Sequence, residues 1–291
     1  MDPTYKGEQP PKGQEKARAT RETETVGRSS LVTCRTAVQN HSVFNTNDRD
    51  RVRDRVLDIV SSDPRVVGGA VLGSLAHDQG DEWSDLDLMF AVVNDVPLTE
   101  VLESVTPTLL DEFAAVRLFD LPSGPIIYRV FLLPNCLELD LSFTPASEFG
   151  AGGPEFRLLF GEAVELPVDP SQPAHELFGY GVHHTLHARV AIERGRYWQA
   201  EYWISAVRDH ALALACRRLG LDGTYGRDFD GLPTEVADPA RDALVRSLDR
   251  DELNRALESA VAALLRESME AREMAASVEG QLREMALGRL G

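Results

Sequence analysis

The chain has 291 residues, 43% hydrophobic and 26% charged, with a formal net charge of −17, a composition that suits a soluble globular protein with one large or two modest cores. No run approaches the roughly 20 apolar residues of a membrane span, and the N-terminus lacks the apolar stretch of a secretory signal. Three scattered cysteines, Cys34, Cys136 and Cys216, form no CxxC pair, which predicts free thiols in a reducing, cytoplasmic compartment.

The charge is uneven. Residues 1–55 carry 11 Lys/Arg against 8 Asp/Glu, and the remainder 19 against 39. Such acidity ordinarily serves solubility; it also repels phosphate backbones, which argues against a nucleic-acid partner, and attracts cationic molecules. Residues 1–45 hold too little apolar surface to offset their ordering entropy, which predicts a disordered tail. A coding start placed too far upstream, with the native one near Val43 or Val52, would leave the same signature.

The spacing of Val52, Val56, Leu57 and Val60 predicts a helix over Asp48–Ser61, with Asn47 or Asp48 as N-cap. Val66–Leu72 reads as a buried strand ending at Gly73-Ser74, where a helix is expected to start. A second strand follows over Leu86–Val93 and a helix over Thr99–Ala115. Val116–Leu121 and Ile126–Leu133 form a hairpin around Pro122-Ser123-Gly124-Pro125. Leu137–Phe143 is a strand with Leu137, Leu139, Leu141 and Phe143 on one face and Glu138, Asp140 and Ser142 on the other. After a short apolar stretch, Leu158–Phe160, the prolines Pro167, Pro170 and Pro173 mark a linker. Helices are expected at 173–192, 196–219, 238–247 and 250–286. The fold class is therefore α/β (α+β) with a mixed sheet followed by a C-terminal helical bundle: a tail over 1–45, a first domain over 46–165 and a helical domain over 170–291.

The informative stretch runs from Gly73 to Leu88. Small residues at Gly73-Ser74 let backbone N–H groups approach a triphosphate. Ten residues after Ser74 comes Asp85-Leu86-Asp87. Positions i and i+2 of a strand share a face, so both carboxylates point one way while Leu86, Leu88 and Phe90 enter the core. Two such carboxylates repel each other unless a cation sits between them, and hard oxygen ligands suit Mg²⁺ held together with substrate phosphates. Asp140 is a third carboxylate, mid-strand where Asp is disfavoured. A lone Asp-x-Asp is ordinarily a solvated turn; that reading must here also account for the upstream Gly-Ser and for Asp140.

Together, Gly73-Ser74, the spacer, Ser84-Asp85-Leu86-Asp87-Leu88 and the later Asp140 resemble the DNA polymerase β-type nucleotidyltransferase superfamily. More narrowly they resemble the aminoglycoside and lincosamide adenylyltransferases, over roughly residues 50–270. The helical half, with residues 195–203 and 207–211, adds weaker support. One departure stands out: family members often carry Ala-Arg-Gly just after Gly-Ser, whereas this chain has Ala76-His77-Asp78 and lacks that cation. The resemblance implies that Gly73, Ser74 and Ser84 bind the nucleotide and that Asp85 and Asp87 hold the Mg²⁺ of the triphosphate. Asp140 would share a second Mg²⁺ and could accept the acceptor's proton. AMP from ATP, or another NTP, would pass to a hydroxyl of a small, cationic acceptor, an aminoglycoside or lincosamide among the candidates. Related enzymes often dimerise with shared sites, which makes a homodimer an expectation of the resemblance.

In helix 196–219 the residues Trp198, Tyr202, Ser205, Asp209, Leu212 and Cys216 form one stripe at helical spacing. Such aromatics are ordinarily core. Asp209, a charge on a stripe read as buried, needs a partner, ordinarily an arginine of a neighbouring helix; Asp209 and Glu201 are the candidate acceptor contacts. His183, His184 and His187 lack the companion ligands of a zinc site. Two competing readings remain: an adenylyltransferase acting on a protein partner, as in toxin–antitoxin pairs, and a non-catalytic nucleotide-binding regulator. No His in residues 156–291 has an Arg at the Arg-x4-6-His spacing of such toxins, and no acidic ligand is lost.

Overall fold

In the computed structural model, residues 45–152, 155–167 and 172–289 are described. The expected disordered tail, Cys34 included, lies outside the described residues apart from Asn45. Helix α1 spans Thr46–Ser61. Its N-cap is Asn45, not Asn47 or Asp48, because the extended Asn45 backbone lets its side-chain oxygen accept from the Asp48 N–H at 2.9 Å. Strands β1 (Val66–Leu72) and β2 (Leu86–Val92) and helix α2 (Leu98–Phe113) follow. Next come the hairpin strands β3 (Val116–Ser123) and β4 (Ile126–Leu132), joined across Gly124-Pro125, and β5 (Glu138–Pro145). Two short strands, β6 (Gly150–Ala151) and β8 (Val164–Glu165), pair with each other around β7 (Phe156–Phe160).

The main sheet runs in the order β3-β4-β5-β2-β1-β7. It is mixed: β2 and β5 pair in parallel and every other pair in it is antiparallel. The parallel pair forms because α2 and the β3–β4 hairpin supply the crossover that parallel neighbours need. Leu86, Leu88, Phe90, Leu139, Leu141 and Phe143 cover one face and are buried with Val56, Val60 of α1 and Val101, Leu102, Leu109 of α2. Phe90 and Phe143 meet with ring centroids 5.4 Å apart. Each such buried side chain contributes about 1.5–3 kcal/mol. The opposite face carries a smaller cluster of Ala70, Met89, Ala91 and Phe149. Gly69 of β1, opposite Phe90 on the helix-covered face, is required because a Cβ at this position would lie 2.3 Å from the Phe160 ring.

The C-terminal region is helical: α3 (Ala174–Glu193), α4 (Tyr197–Leu219), α5 (Thr234–Arg241), α6 (Arg250–Arg266) and α7 (Arg272–Ala286). Its core gathers Phe178, Ile192, Ile204, Val207, Leu253, Leu257 and Leu264. The helix expected over 238–247 occupies Thr234–Arg241, with Pro239 inside it. The expected helix over 250–286 is two helices with a 3₁₀ turn, Ser268–Ala271, between them. Before that turn Glu267 is buried against Arg218 at 2.9 Å, and the bend lets α6 and α7 both pack on α3. Among the described residues no helix is long and apolar enough to cross a membrane. Cys136 is exposed and Cys216 buried, both as free thiols.

Candidate active site

The parallel register of β2 and β5 sets Asp87 directly beside Asp140. Neighbouring strands lie about 4.8 Å apart, so the two side chains leave the same face as close neighbours. Asp85, exposed at the mouth of β2, and Glu138, two residues before Asp140, share that face. Burial, then repulsion from Asp85, Asp140 and Glu138, pushes the Asp87 carboxyl up to about 7, opposed by Arg227. Burial, then Glu138 and Asp85, pushes Asp140 up to about 6. Asp140 Oδ1 is buried without a hydrogen-bond partner. This constellation strongly favours a bound cation or a bound proton.

Gly73 closes the site from the β1 side. Its φ is +64°, and a Cβ there would stand 3.0 Å from Asp87 Oδ2. Glycine thus serves twice, allowing the left-handed backbone and leaving the carboxylate its space. The helix expected to start at Gly73 is only a 3₁₀ turn, Gly73–His77, because Asp78 turns the chain in the left-handed region at φ 56°. So short a turn carries no helix dipole of consequence, and the Gly73 N–H donates to the Glu155 carbonyl at 3.3 Å. Ser74 Oγ donates to Ser84 Oγ at 3.1 Å, and Ser84 Oγ accepts from the Asp81 N–H at 3.0 Å. The two predicted serines are thereby brought together, tying the Gly-Ser turn to the loop that delivers Asp85. From beneath, the buried Arg49 of α1 donates to the Asp81 and Ser84 carbonyls at 2.6 and 3.0 Å.

Sequence reasoning missed Arg49, although it sits one helical turn before Val52 on the apolar stripe of α1. It also missed three groups around the carboxylates. Tyr128 of β4 is half-buried, and its phenol is raised by burial, then by Asp140, Asp87 and Tyr225. Tyr225 and Arg227 come from the loop after α4, which no periodicity marked. Arg227 reaches Glu155 at 3.4 Å and Asp222 at 3.3 Å. At the end of the Gly-Ser turn Arg157 of β7 pairs with Asp78 at 2.6 Å.

The helical candidates divide. Asp209 is exposed, paired with its neighbour Arg208 at 2.7 Å, so the buried stripe and the expected partner from another helix are both corrected. Trp198 is 77% and Tyr202 63% exposed, so these aromatics are not core; α4 instead buries Ala200, Ile204, Val207, Ala211 and Leu214. Glu201 is half-buried and accepts from Ser205 Oγ at 2.9 Å. Asp209 lines a groove of about 1060 Å³ with Leu177, His210, Arg217, Tyr225 and Phe229; Glu201 does not. His184 stacks on His210 and packs on Trp203, with centroids 5.0 and 4.9 Å apart. Among the described residues no group of three or more His, Cys, Asp or Glu side chains is gathered closely enough to hold a metal ion by itself.

No family model matches the chain, and no curated protein does. Among solved structures it is similar to an aminoglycoside 6-adenyltransferase from Bacillus subtilis, at 13% identity and a TM-score of 0.32, covering 80% of this chain and 96% of that one. It is also similar to JHP933 from Helicobacter pylori, at 11% identity and a TM-score of 0.26, covering 83% and 99%. Neither likeness is close enough to bear on reaction or substrate.

Proposed function

We propose that the protein is a Mg²⁺-dependent nucleotidyltransferase that moves AMP from ATP to a hydroxyl of a small acceptor. The observation that carries this reading is the Asp87–Asp140 register, with Asp85 on the same face and Gly73 against Asp87. The reading assigns residues 46–165 to catalysis and 170–291 to the acceptor.

The residues fit a divalent cation. The site is made of hard carboxylate oxygens, one buried and unpartnered, and two of its carboxyls hold protons more tightly than usual because of burial and then repulsion from neighbouring carboxylates. Mg²⁺ ordinarily takes one or two carboxylates together with substrate phosphates, which such a partial set suits. Asp85, Asp87 and Asp140 would hold it, and when bound it would supply charge neutralisation at the attacking and leaving oxygens of an in-line displacement.

The remaining work belongs to the chain. Gly73 leaves the triphosphate room beside Asp87, and Ser74 turns its hydroxyl from Ser84 to a phosphate oxygen. Asp140, with a pKa near 6, accepts the proton of the acceptor hydroxyl as that oxygen attacks the α-phosphorus and pyrophosphate departs. The acidic body and Asp209 in the groove favour a cationic acceptor, aminoglycosides and lincosamides being the first to screen.

Pyrophosphate release with ATP, Mg²⁺ and that panel tests the reaction, against ATP with lysate protein for modification of a protein partner. Asp140→Asn should leave nucleotide binding by calorimetry nearly unchanged while single-turnover release falls by about 10²–10⁴-fold. Normal release would remove Asp140 from the chemistry.

A further inference from the structure

The sheet carries a second feature on the catalytic face. Phe119, Val130, Asp140 and Asp87 form one row across β3, β4, β5 and β2, and Leu121, Tyr128, Ser142 and Met89 form the next. Phe119 is 53% and Leu121 54% exposed. The usual alternation is inverted on β3: its charged residues Arg117 and Asp120 face the helix side, Asp120 held at 2.7 Å by the buried Arg129, while Phe119 and Leu121 stand in the open on the carboxylate face, two strands from Asp140.

Tyr225, on the rim of the groove lined by Asp209, comes close enough to Tyr128 to act on its phenol. It is 96% exposed and sits at φ 54°, followed by Gly226 at φ 78°. Its loop is fastened on both sides. The Asp222 N–H donates to Asp228 Oδ2 at 2.7 Å, the Asp228 N–H to the Asp222 carbonyl at 3.0 Å, and the Thr224 N–H to Asp222 Oδ1 at 2.8 Å. A tyrosine in a disfavoured backbone conformation that its loop's hydrogen bonds hold, exposed, and within electrostatic reach of Tyr128 is a presented side chain.

The order of strands assigns the sides. Gly73 and Ser74 lie on the β1 side of Asp87, whereas Tyr128 and Phe119 lie on the β4 and β3 side of Asp140. We infer that Phe119, Leu121, Tyr128 and Tyr225 form a subsite for a flat, apolar ring of the acceptor, adjacent to its reacting hydroxyl. This rests on the transferase reading, which puts the nucleotide on the β1 side. Two strand spacings, about 10 Å, leave room for one or two six-membered rings between Asp140 and the sheet edge. The acceptor is thus a hydroxylated molecule with a ring face to stack, and cationic charge alone does not define it.

The test uses the full chain with Mg²⁺ and a non-hydrolysable ATP analogue, titrated by calorimetry with 4-nitrophenyl β-glucoside and methyl β-glucoside as probes with and without a flat aryl ring. The aryl probe should bind about tenfold more tightly. Phe119→Ala and Tyr225→Ala should each reduce that preference about threefold or more, and Tyr225→Phe should retain it. Equal affinities in the wild type, a preference unmoved by both alanine variants, or a Tyr225→Ala effect on the analogue instead of the aryl probe would overturn the inference. Analogue affinity is read separately. If the analogue fails to bind while the aryl preference and its loss persist, the subsite stands and the transferase reading falls.

Discussion

At Asp87 the native chain binds a proton more tightly than the unfolded chain does, because the carboxyl is buried among Asp85, Asp140 and Glu138. Between the ordinary carboxylate pKa of 3.8 and the native value of about 7, stability therefore falls as pH rises, and the full cost is present above 7. Asp87→Asn should raise the apo melting temperature at pH 8, on the order of 2 kcal/mol after solvent screening. The gain should shrink as pH falls toward 5, and Mg²⁺-dependent turnover should be abolished at every pH. Melting curves at pH 5 and 8 check this; a variant that melts with the wild type at both would mean that solvent, not the fold, sets the Asp87 charge.

At the scale of elements, two junctions respond differently. The turn after β1 places Gly73 against Asp87, so Gly73→Ala introduces both a disfavoured φ and a Cβ 3.0 Å from a carboxylate oxygen. It should cost about 1–3 kcal/mol of stability and disturb Asp87 as well. Ser74→Ala should leave stability near normal and weaken ATP binding by about 1–2 kcal/mol, one charge-assisted hydrogen bond. An unchanged ATP affinity in Ser74→Ala would reduce the turn to a structural role. The α3–α4 junction carries His184, whose pKa is lowered to about 4 by burial, then by His210, His183 and His187. Its neutral form is the one the fold accepts, so its contribution is present above the unfolded pKa of about 6.5 and is lost as pH falls toward 4. His184→Phe should flatten the acid limb of the helical region's melting curve, followed by far-ultraviolet dichroism between pH 7 and 4. Acidification thus relieves the sheet site and loads the helix pair.

For the whole molecule, a ligand that binds only the folded state adds RT ln(1 + [L]/Kd), about 2.7 kcal/mol at a hundred times Kd. Mg²⁺ with ATP should therefore raise the melting temperature by roughly 5–10 °C for a chain of this size. Mg²⁺ alone should do much less, because the described residues offer no complete cage and the phosphates would supply the missing ligands. Asp85→Asn should remove the combined shift. Thermal scans with Mg²⁺, ATP and both decide it, and an equal shift with ATP alone would take the metal out of nucleotide binding.

The sequence by itself determined the α+β sheet, the helical C-terminal region and the local half of the candidate site. A buried run ending in Gly-Ser, the alternation through Asp85-Leu86-Asp87, and the apolar face opposite Asp140 are local patterns, set by the two-residue period of a strand and by the steric freedom of glycine. What lay further along the chain needed the tertiary structure. That Asp140 stands beside Asp87 is a matter of strand order, and the period of a strand fixes its face but not its neighbour. Tyr128, Tyr225 and Arg227 approach the site from a hairpin and from a loop after α4 that carries no period. The aromatic stripe of α4 failed as a core signal because helical spacing shows only that residues share a face, and the packing of α3 and α6 decided which face of α4 was buried.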